Sequence, residues 1–339
     1  TATCRNVFTS LVTGALPNPV AITSSNATVL QPFVGPALTV PETETLLELV
    51  LAGRKEGGVR VPRIGGIDRS TAAVIEQSPV TGEVRPTMVY VGALDGMLHA
   101  ICAEVLGACQ AAGQELWAYI PRTQLPLLSQ NLQRIDGSPK VAEVFGDFDP
   151  DDAVGARFHT VLTFQTGAGA PGYPEQAPAI IAIEVSDPAS PRILWELSTP
   201  AARGAFDVGV GLNLAMGPVR VGSTIRNLTF AQTTNGGTGG AGFLVDAIDT
   251  LTGELVWSYQ HAFDPARDAA NPPPPATGLP AGVAAYSENQ GTLLTHVIAP
   301  SLYGDLWLSD AGTGANVHGN KPLFRFTTDF HPFGSSPTV

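Results

Sequence analysis

A strand-turn-strand unit recurs four times in this 339-residue chain and restricts its fold more than any other feature. Each copy has an alternating apolar strand, a turn that carries Asp with Gly or Pro, and a second strand with an aromatic residue at its middle. The aromatic anchors are Trp117, Trp195, Trp257 and Phe324, separated by 78, 62 and 67 residues. Short strands at regular spacing are typical of β-propellers, where a large aromatic side chain would be buried between neighbouring blades.

Further β-rich segments lie upstream of each unit and complete about four strands per repeat. We therefore predict an all-β fold, a β-propeller of four-stranded antiparallel blades with long loops. A pair of β-sandwiches stays open as the alternative, because turn-separated strands alone do not fix a closed ring. About four blades are visible, and since residues 331–339 resemble the beginning of another blade, we expect the propeller to continue beyond Val339.

The chain also contains one short helix near its N-terminal part. Pro41 suits a first helical turn, Glu42 and Glu44 favour the positive helix end, and Gly53 follows as a stop. Residues 1–40, with few charges, are predicted to be an irregular or strand-like segment, and residues 41–339 the propeller. Glycine and proline number 37 and 29, so long helices are not expected to dominate.

The charge balance argues against two classes of partner. With 18 basic and 30 acidic residues, the formal net charge is −12, and the chain repels phosphate backbones and anionic membranes. We expect no nucleic-acid binding. The longest apolar stretches, such as residues 179–183, have strand length, so no membrane-spanning segment is expected. No signal-peptide pattern follows Thr1, which indicates a mature or internal start.

Candidate metal and catalytic groups are few. Asp147, Asp149 and Asp151 alternate as the first ligands of a calcium loop do, but Phe158 stands where a bidentate Glu would be needed. We predict a solvated acidic hairpin tip, with weak structural Ca²⁺ binding as the alternative, and no other cofactor. No catalytic constellation is visible, and His99 beside Asp95 is interpreted as a contact that packs the blade.

One run of residues resembles a known family. The segments VYVGALDGMLHA (89–100), ELWAYIP (115–121) and DGSPKVAEV (136–144) are similar to the C-terminal propeller of PilY-type proteins, which are adhesins and assembly factors at the tips of type IV pili. The similarity covers roughly residues 45–339, and its DG turn marks Asp95 and Gly96 as further blade anchors.

The resemblance implies a non-enzymatic role in pilus assembly, retraction control and adhesion, with minor pilins and the pilus as partners. It also implies export through the periplasm to an extracellular position at the pilus tip or outer-membrane surface. In that oxidising compartment, we expect Cys102 and Cys109 to form a disulfide across a hairpin tip, with two free thiols as the alternative. Binding specificity is expected in loops 102–109 and 272–280.

Two rival functions fit the propeller. A quinone-cofactor dehydrogenase, similar to those that use PQQ, would share the D-x-x-T-G and Trp turns. It would need an axial calcium site and a pocket closed by adjacent cysteines, whereas six residues lie between Cys102 and Cys109. A periplasmic scaffold propeller would share the fold but not the long match from residue 89 to residue 121.

Overall fold

The computed structural model describes residues 5–12, 17–56, 59–61, 64–148, 155–166, 179–198, 213–234, 243–260, 282–300, 304–319 and 321–325. Four sheets follow one another along these residues, and a small two-stranded sheet lies, in chain order, between the second and third strands of the first sheet. No helix in the described ranges combines the length and apolar character needed to cross a membrane.

The N-terminal region comes first and mixes strands with helices. Its elements are β1 (Val7–Val12), β2 (Pro17–Ala21), a 3-10 helix (Ser24–Asn26), α1 (Ala27–Val34), α2 (Val40–Ala52), β3 (Arg54–Glu56) and β4 (Val59–Val61). The strands β3 and β4 pair with each other in the two-stranded sheet.

Four blades follow, each built from four strands in antiparallel succession. Blade 1 comprises β5 (Ala73–Ile75), β6 (Met88–Gly92), β7 (Leu98–Cys102) and β8 (Glu115–Ile120). Blade 2 comprises β9 (Lys140–Gly146), β10 (Arg157–Gln165), β11 (Ala179–Glu184) and β12 (Arg192–Ser198). Blade 3 comprises β13 (Ala215–Val221), β14 (Thr224–Thr234), β15 (Phe243–Asp249) and β16 (Leu255–Gln260). Blade 4 comprises β17 (Ala284–Tyr286), β18 (His296–Pro300), β19 (Asp305–Asp310) and β20 (Phe324–Arg325).

The predicted all-β architecture of four-stranded antiparallel blades is confirmed. The first strands of successive blades lie side by side: β9 contacts both β5 and β13, and β13 contacts β17. A parallel β-bridge between Ser138 and Asn213 joins the chain just before blade 2 to the chain just before blade 3. Apolar side chains fill the spaces between blades, as in the cluster that joins Trp117 and Tyr119 of blade 1 to Phe164 and Ile181 of blade 2.

The predicted helix exists as α2, and its start is set by a capping box. The Thr39 hydroxyl accepts from the Glu42 backbone N–H, and the Glu42 carboxylate accepts from the Thr39 N–H at 2.7 Å. The helix α1 was not predicted, although it falls within residues 1–40. It is short, contains Pro32, and has no side-chain cap, so its sequence lacks the usual start signal.

The N-terminal region is joined to blade 1 in two ways. Strand β1 pairs in parallel with β8, the last strand of blade 1, and antiparallel with β2, so this sheet has six strands. The helical cap, by which we mean α1, α2 and the 3-10 helix Arg122–Gln130, packs with β1 on one side of β8 through Leu30, Leu47 and Leu125. Blade 1 therefore has blade 2 on one face and the helical cap on the other.

Candidate functional site

One contact repeats at every described interface between blades. The Trp117 indole Nε1 donates to the Pro188 carbonyl at 2.8 Å. Trp195 donates in the same way to Thr250 at 3.0 Å, and Trp257 to Ala311 at 3.0 Å. In each case, a Trp on the fourth strand of one blade reaches the turn between the third and fourth strands of the next. The repeat found in the sequence is thus a blade-docking device.

The accepting turns are shaped by an aspartate. The Asp249 Oδ1 accepts the backbone N–H groups of Leu251 and Thr252 at 3.0 and 3.1 Å. Asp310 does the same for Gly312 and Thr313 at 3.0 and 2.8 Å. These Asx-type hydrogen bonds hold the turn closed, and the carbonyl that follows each aspartate is the one that accepts the indole N–H.

Glycine is needed where the Trp indole ring packs on the turn of the next blade. Gly253 and Gly314 have φ values of 71° and 73°, which favour glycine over any residue with a side chain. A Cβ atom at Gly253 would lie 2.7 Å from the Trp195 ring, and one at Gly314 would lie 2.5 Å from the Trp257 ring. The T-G pair of each turn therefore leaves room for the indole of the preceding blade.

The predicted anchors differ in their surroundings. Trp117 is fully buried and Trp195 is 5% exposed, whereas Phe324 on β20 is 49% exposed. Asp95 and Gly96 do not match the other turns, because they join β6 to β7, the second and third strands of blade 1. The prediction that all four units share one turn is wrong for blade 1, whose third and fourth strands are joined by residues 103–114.

A buried charge network lies on the opposite face of blade 1, under the helical cap. Arg5 makes a two-pronged ion pair with Glu115, at 3.0 and 3.1 Å, and its Nη1 donates to the Val50 carbonyl in α2 at 3.4 Å. His99 lies between two acids, with Nε2 3.1 Å from Asp95 Oδ1 and Nδ1 3.8 Å from Glu115 Oε1. The network ties the N-terminal segment and α2 to β7 and β8.

The network favours the charged forms of His99, Asp95 and Glu115. Burial opposes the charge on His99, but hydrogen bonding and attraction to Asp95 and Glu115 outweigh burial and raise the His99 pKa. Burial likewise opposes ionisation of Asp95 and Glu115. Hydrogen bonds and charge from His99, together with Arg5 at Glu115, nevertheless lower both pKa values.

His99 has no exposed surface, while the Asp95 and Glu115 side chains are 21% and 16% exposed, so the network serves to hold the fold around a buried histidine. The contact between His99 and Asp95 predicted from the sequence is present at 3.1 Å. Within the described residues, no group of three or more His, Cys, Asp or Glu side chains is arranged to hold a metal ion.

A disulfide joins Cys102 to Cys109, with 5.7 Å between their Cα atoms. Both cysteines are buried against the apolar cluster between blades 1 and 2, and a bridge between Leu106 and Cys109 narrows the hairpin. The tip points outward, since Val105 is 66% exposed. The loop therefore presents an apolar tip on a fixed base.

The acidic hairpin tip is described only in part. Asp147 is exposed directly after β9, while Asp149 and Asp151 lie outside the described residues. The calcium site expected at these three aspartates therefore stays a prediction. Residues 272–280, expected to form a binding loop, and residues 331–339, expected to begin another blade, also lie outside the described residues.

One polar cluster had no signal in the sequence. The buried Glu196 carboxylate on β12 accepts from the Ser10 hydroxyl at 2.8 Å and from the Tyr119 hydroxyl at 2.6 Å. Burial and then the Glu196 charge raise the Tyr119 pKa well above its ordinary value. Because the three residues are 77 to 186 positions apart in pairs, no local pattern brings them together.

Known relatives share sequence with most of the chain. It is 27% identical over 258 residues to a type IV pilus biogenesis factor PilY1 homolog from Xylella fastidiosa, an alignment that covers 72% of this chain and 17% of that protein. It is 26% identical over 260 residues to the type IV pilus biogenesis factor PilY1 of Pseudomonas aeruginosa, covering 72% of this chain and 18% of that protein. The alignments span less than a fifth of these curated relatives. No protein-family model matches.

Solved structures with similar folds include the C-terminal domain of Pseudomonas aeruginosa PilY1, at 24% identity and a TM-score of 0.42, covering 67% of this chain and 39% of that one. BamB from Moraxella catarrhalis follows at 12% identity and a TM-score of 0.37, covering 78% of this chain and 53% of that one. Both TM-scores lie below 0.5, so these structures indicate no function for this chain. Those relatives confirm the PilY-type resemblance found in the sequence.

Proposed function

We propose that this PilY-type chain is the propeller part of a type IV pilus biogenesis factor and that it acts by binding rather than by catalysis. The single observation that carries the proposal is the similarity over 258 and 260 residues to two proteins named as such factors. The partners in this proposal are the pilus and its minor pilins, at an extracellular position near the pilus tip.

The construction of the blades supports a binding role. Three indole-to-carbonyl contacts of 2.8 to 3.0 Å lock successive blades, so the frame is rigid while the turns that project from it are free to differ. The disulfide-closed loop at residues 102–109 adds a projecting tip and suits a protein exported to an oxidising compartment. Adhesion to a surface and opposition to pilus retraction would both use such projecting loops.

Deleting the gene in the source bacterium tests the proposal. We expect fewer surface pili and reduced twitching motility, both restored by the intact gene. A matched allele in which residues 103–108 are replaced by a Gly-Ser turn, with both cysteines kept, is expected to restore pili but not attachment to a surface. Normal piliation, motility and attachment in the deletion strain would refute the pilus role.

A purified-protein assay tests the claim of non-catalysis. The rival dehydrogenase would bind a quinone cofactor, and in this chain the cysteine pair closes a hairpin of blade 1 instead of standing as adjacent residues at a pocket. We expect no quinone-dependent dye reduction after incubation with PQQ and Ca²⁺. Turnover of an alcohol under those conditions would favour the enzyme.

A further inference from the structure

The connection between β7 and β8 of blade 1 keeps the backbone frame of the turns that accept an indole. The N–H of Gly113 donates to the Cys102 carbonyl at 2.7 Å. In blades 3 and 4, Gly253 and Gly314 donate in the same way to the carbonyl of the turn aspartate, at 2.8 and 2.9 Å. Gly113 also shares their positive φ, at 81°. Blade 1 therefore has the same frame, with the disulfide hairpin inserted into it.

The residue that stands at the accepting position of this frame is Ala103. Its N–H donates to the Thr87 carbonyl, just before β6, at 2.8 Å. Thr250 and Ala311 donate to the equivalent positions of blades 3 and 4, at 2.9 and 2.8 Å, and their carbonyls accept the indoles described above. Ala103 is exposed, and no described residue donates to its carbonyl. The carbonyl is thus available to a donor from outside blade 1.

The surface beside Ala103 has room for a ring. A Cβ atom built at Gly253 or Gly314 would collide with the Trp of the preceding blade, at 2.7 or 2.5 Å. One built at Gly113 would meet no described atom within 4 Å. We call the Ala103 carbonyl and the exposed surface over Gly113 the seat. It combines the acceptor and the clearance that an indole uses in the other blades.

An apolar row crosses the same face of blade 1. Val74, Val89 and Ile101 are cross-strand neighbours on β5, β6 and β7. Val74 is 61% exposed, and the other two are partly exposed, so the helical cap on β8 leaves this row open. In each later blade, the preceding blade buries the positions equivalent to Val89 and Ile101. These cross-strand pairs, at most 2% exposed, are Leu162 with Ile183, Thr229 with Ile248, and Val297 with Ser309.

We propose that the seat and the row are the docking face for a closing blade of the same protein, which presents a Trp from the middle of its fourth strand. The three described interfaces carry the argument, because in each the preceding blade donates an indole N–H to this turn. Blade 4 cannot supply this contact, since its anchor Phe324 has no N–H. A blade of the same chain is held near the seat at high effective concentration.

The proposal goes beyond the pilus role and does not depend on it. The propeller closes blade on blade against blade 1, and the helical cap packs beside that joint instead of replacing it. Closure buries the apolar row and removes an exposed sheet face, as complete propellers do.

Hydroxyl-radical footprinting of the intact gene product tests the docking face. Ile225, a blade 3 residue that is 57% exposed, is the matched reference for Val74, and buried Val297 reports that the blades are folded. With rates corrected for intrinsic reactivity, we expect Val74 to be labelled about tenfold more slowly than Ile225, because the core of an interface is packed as densely as a protein interior. Equal rates for Val74 and Ile225 would overturn the proposal.

Two glycines of one hairpin separate the seat from simple backbone strain. Gly113 and Gly107 both have positive φ and open surroundings, but only Gly113 lies in the seat. We expect Gly113→Val to abolish the protection of Val74 and Gly107→Val to preserve it, with Val297 protected in both. The same result for both variants, in a chain that keeps Val297 protected, would contradict an indole at the seat.

A photo-crosslink identifies the occupant. Ala112, exposed beside Gly113, is replaced by p-benzoylphenylalanine in the intact gene product, and the crosslinked peptide is sequenced by mass spectrometry. We expect a product of monomer mass that joins this position to a Trp-containing strand of the same chain. A crosslink of dimer mass would assign the face to a second copy, and a crosslink to another protein or none at all would also refute the closing blade. The pilus role is tested separately by the gene deletion and would stand after any of these results.

Discussion

The two faces of blade 1 are buried by different means. Towards blade 2, the contact is mainly apolar and aromatic, with the Glu196 cluster as a polar addition: Trp117 is fully buried, with Phe8 and Tyr90 at ring distances of 5.5 and 5.7 Å. Towards the helical cap, leucines share the interface with the charge network of Arg5, Glu115, His99 and Asp95. The aromatic face follows the rule used between all blades, whereas the charged face joins a blade to a segment of another kind.

This difference indicates which face sets the stability of the fold and which face is sensitive to pH and salt. Burial of a large ring is insensitive to pH and salt, and its loss leaves a cavity that the rigid sheets cannot close. A buried ion network holds its partners only while each group keeps its charge. We therefore expect the face towards blade 2 to set the global stability and the cap face to respond to conditions.

The largest effect is expected from Trp117→Ala. It removes a fully buried indole and its hydrogen bond to Pro188, and should lower the free energy of unfolding by about 4 kcal/mol in urea titration. Trp117→Phe keeps most of the ring and should cost clearly less. Equal losses for the two variants would show that the hydrogen bond, and not ring burial, dominates this face.

The disulfide supports the same face, because both cysteines pack in the cluster that contains Trp117. Replacing Cys102 and Cys109 together with Ala opens a loop of eight residues and should cost about 2.5 kcal/mol by the chain-entropy estimate. Unfolding with and without a reductant measures this in the unmodified chain. A chain indifferent to reductant would mean that the bond contributes nothing to folding.

On the cap face, Glu115→Gln removes the carboxylate shared by Arg5 and His99. We expect a loss of about 2 kcal/mol, because a buried charged hydrogen-bond partner is left without its counter-charge. Glu48→Gln on the exposed side of α2 is the matched control and should leave stability unchanged. Amide exchange should report the loss in α2 before it appears in blade 2.

The smallest effect is a pH dependence confined to the cap. The His99 pKa is raised, so its stabilising charge is complete below about pH 6.5 and is lost as pH rises through the raised value. Asp95 and Glu115 have lowered pKa values. Their negative charges therefore stabilise the fold at any pH above their ordinary pKa, and this stabilisation is lost only as the pH falls through the lowered values. The protection of α2 amides, taken as exchange corrected for the pH dependence of the intrinsic rate, should fall between about pH 6 and pH 9 in the wild-type chain but not in His99→Gln. If the same pH dependence persists in His99→Gln, the titrating group is a residue other than His99.

The sequence was most informative where structure depends on neighbours along the chain. The Trp anchors, the Asp-containing turns and the capped start of α2 are local patterns, and the structure contains each of them. Asp95 and Gly96 lie in a different turn from the aspartates of the other blades, between the second and third strands of blade 1. A short DG turn looks alike in sequence whether it joins the second and third strands or the third and fourth.

Contacts between distant segments could not be predicted. Nothing local links Ser10 to Glu196, or Arg5 to Glu115, because each pair forms only when β1 is laid along β8. In the sequence, Phe145 was one residue of a β-rich run, and Phe158 stood out only as the position where a calcium loop would need a Glu. Their pairing needs the register of β9 and β10, and their exposure needs the whole blade.

The parallel pairing of β1 with β8 has a consequence for the order of folding. Val7 pairs with Ala118, which lies 111 residues further along the chain, so β1 cannot pair until β8 has been synthesised. Closing a loop of that length costs on the order of 4 kcal/mol of chain entropy, which is recovered only after β8 has joined its own hairpin. Blade 1 should therefore form early with a bare outer edge, and the N-terminal strand should arrive last and seal an edge otherwise open to pairing with another chain.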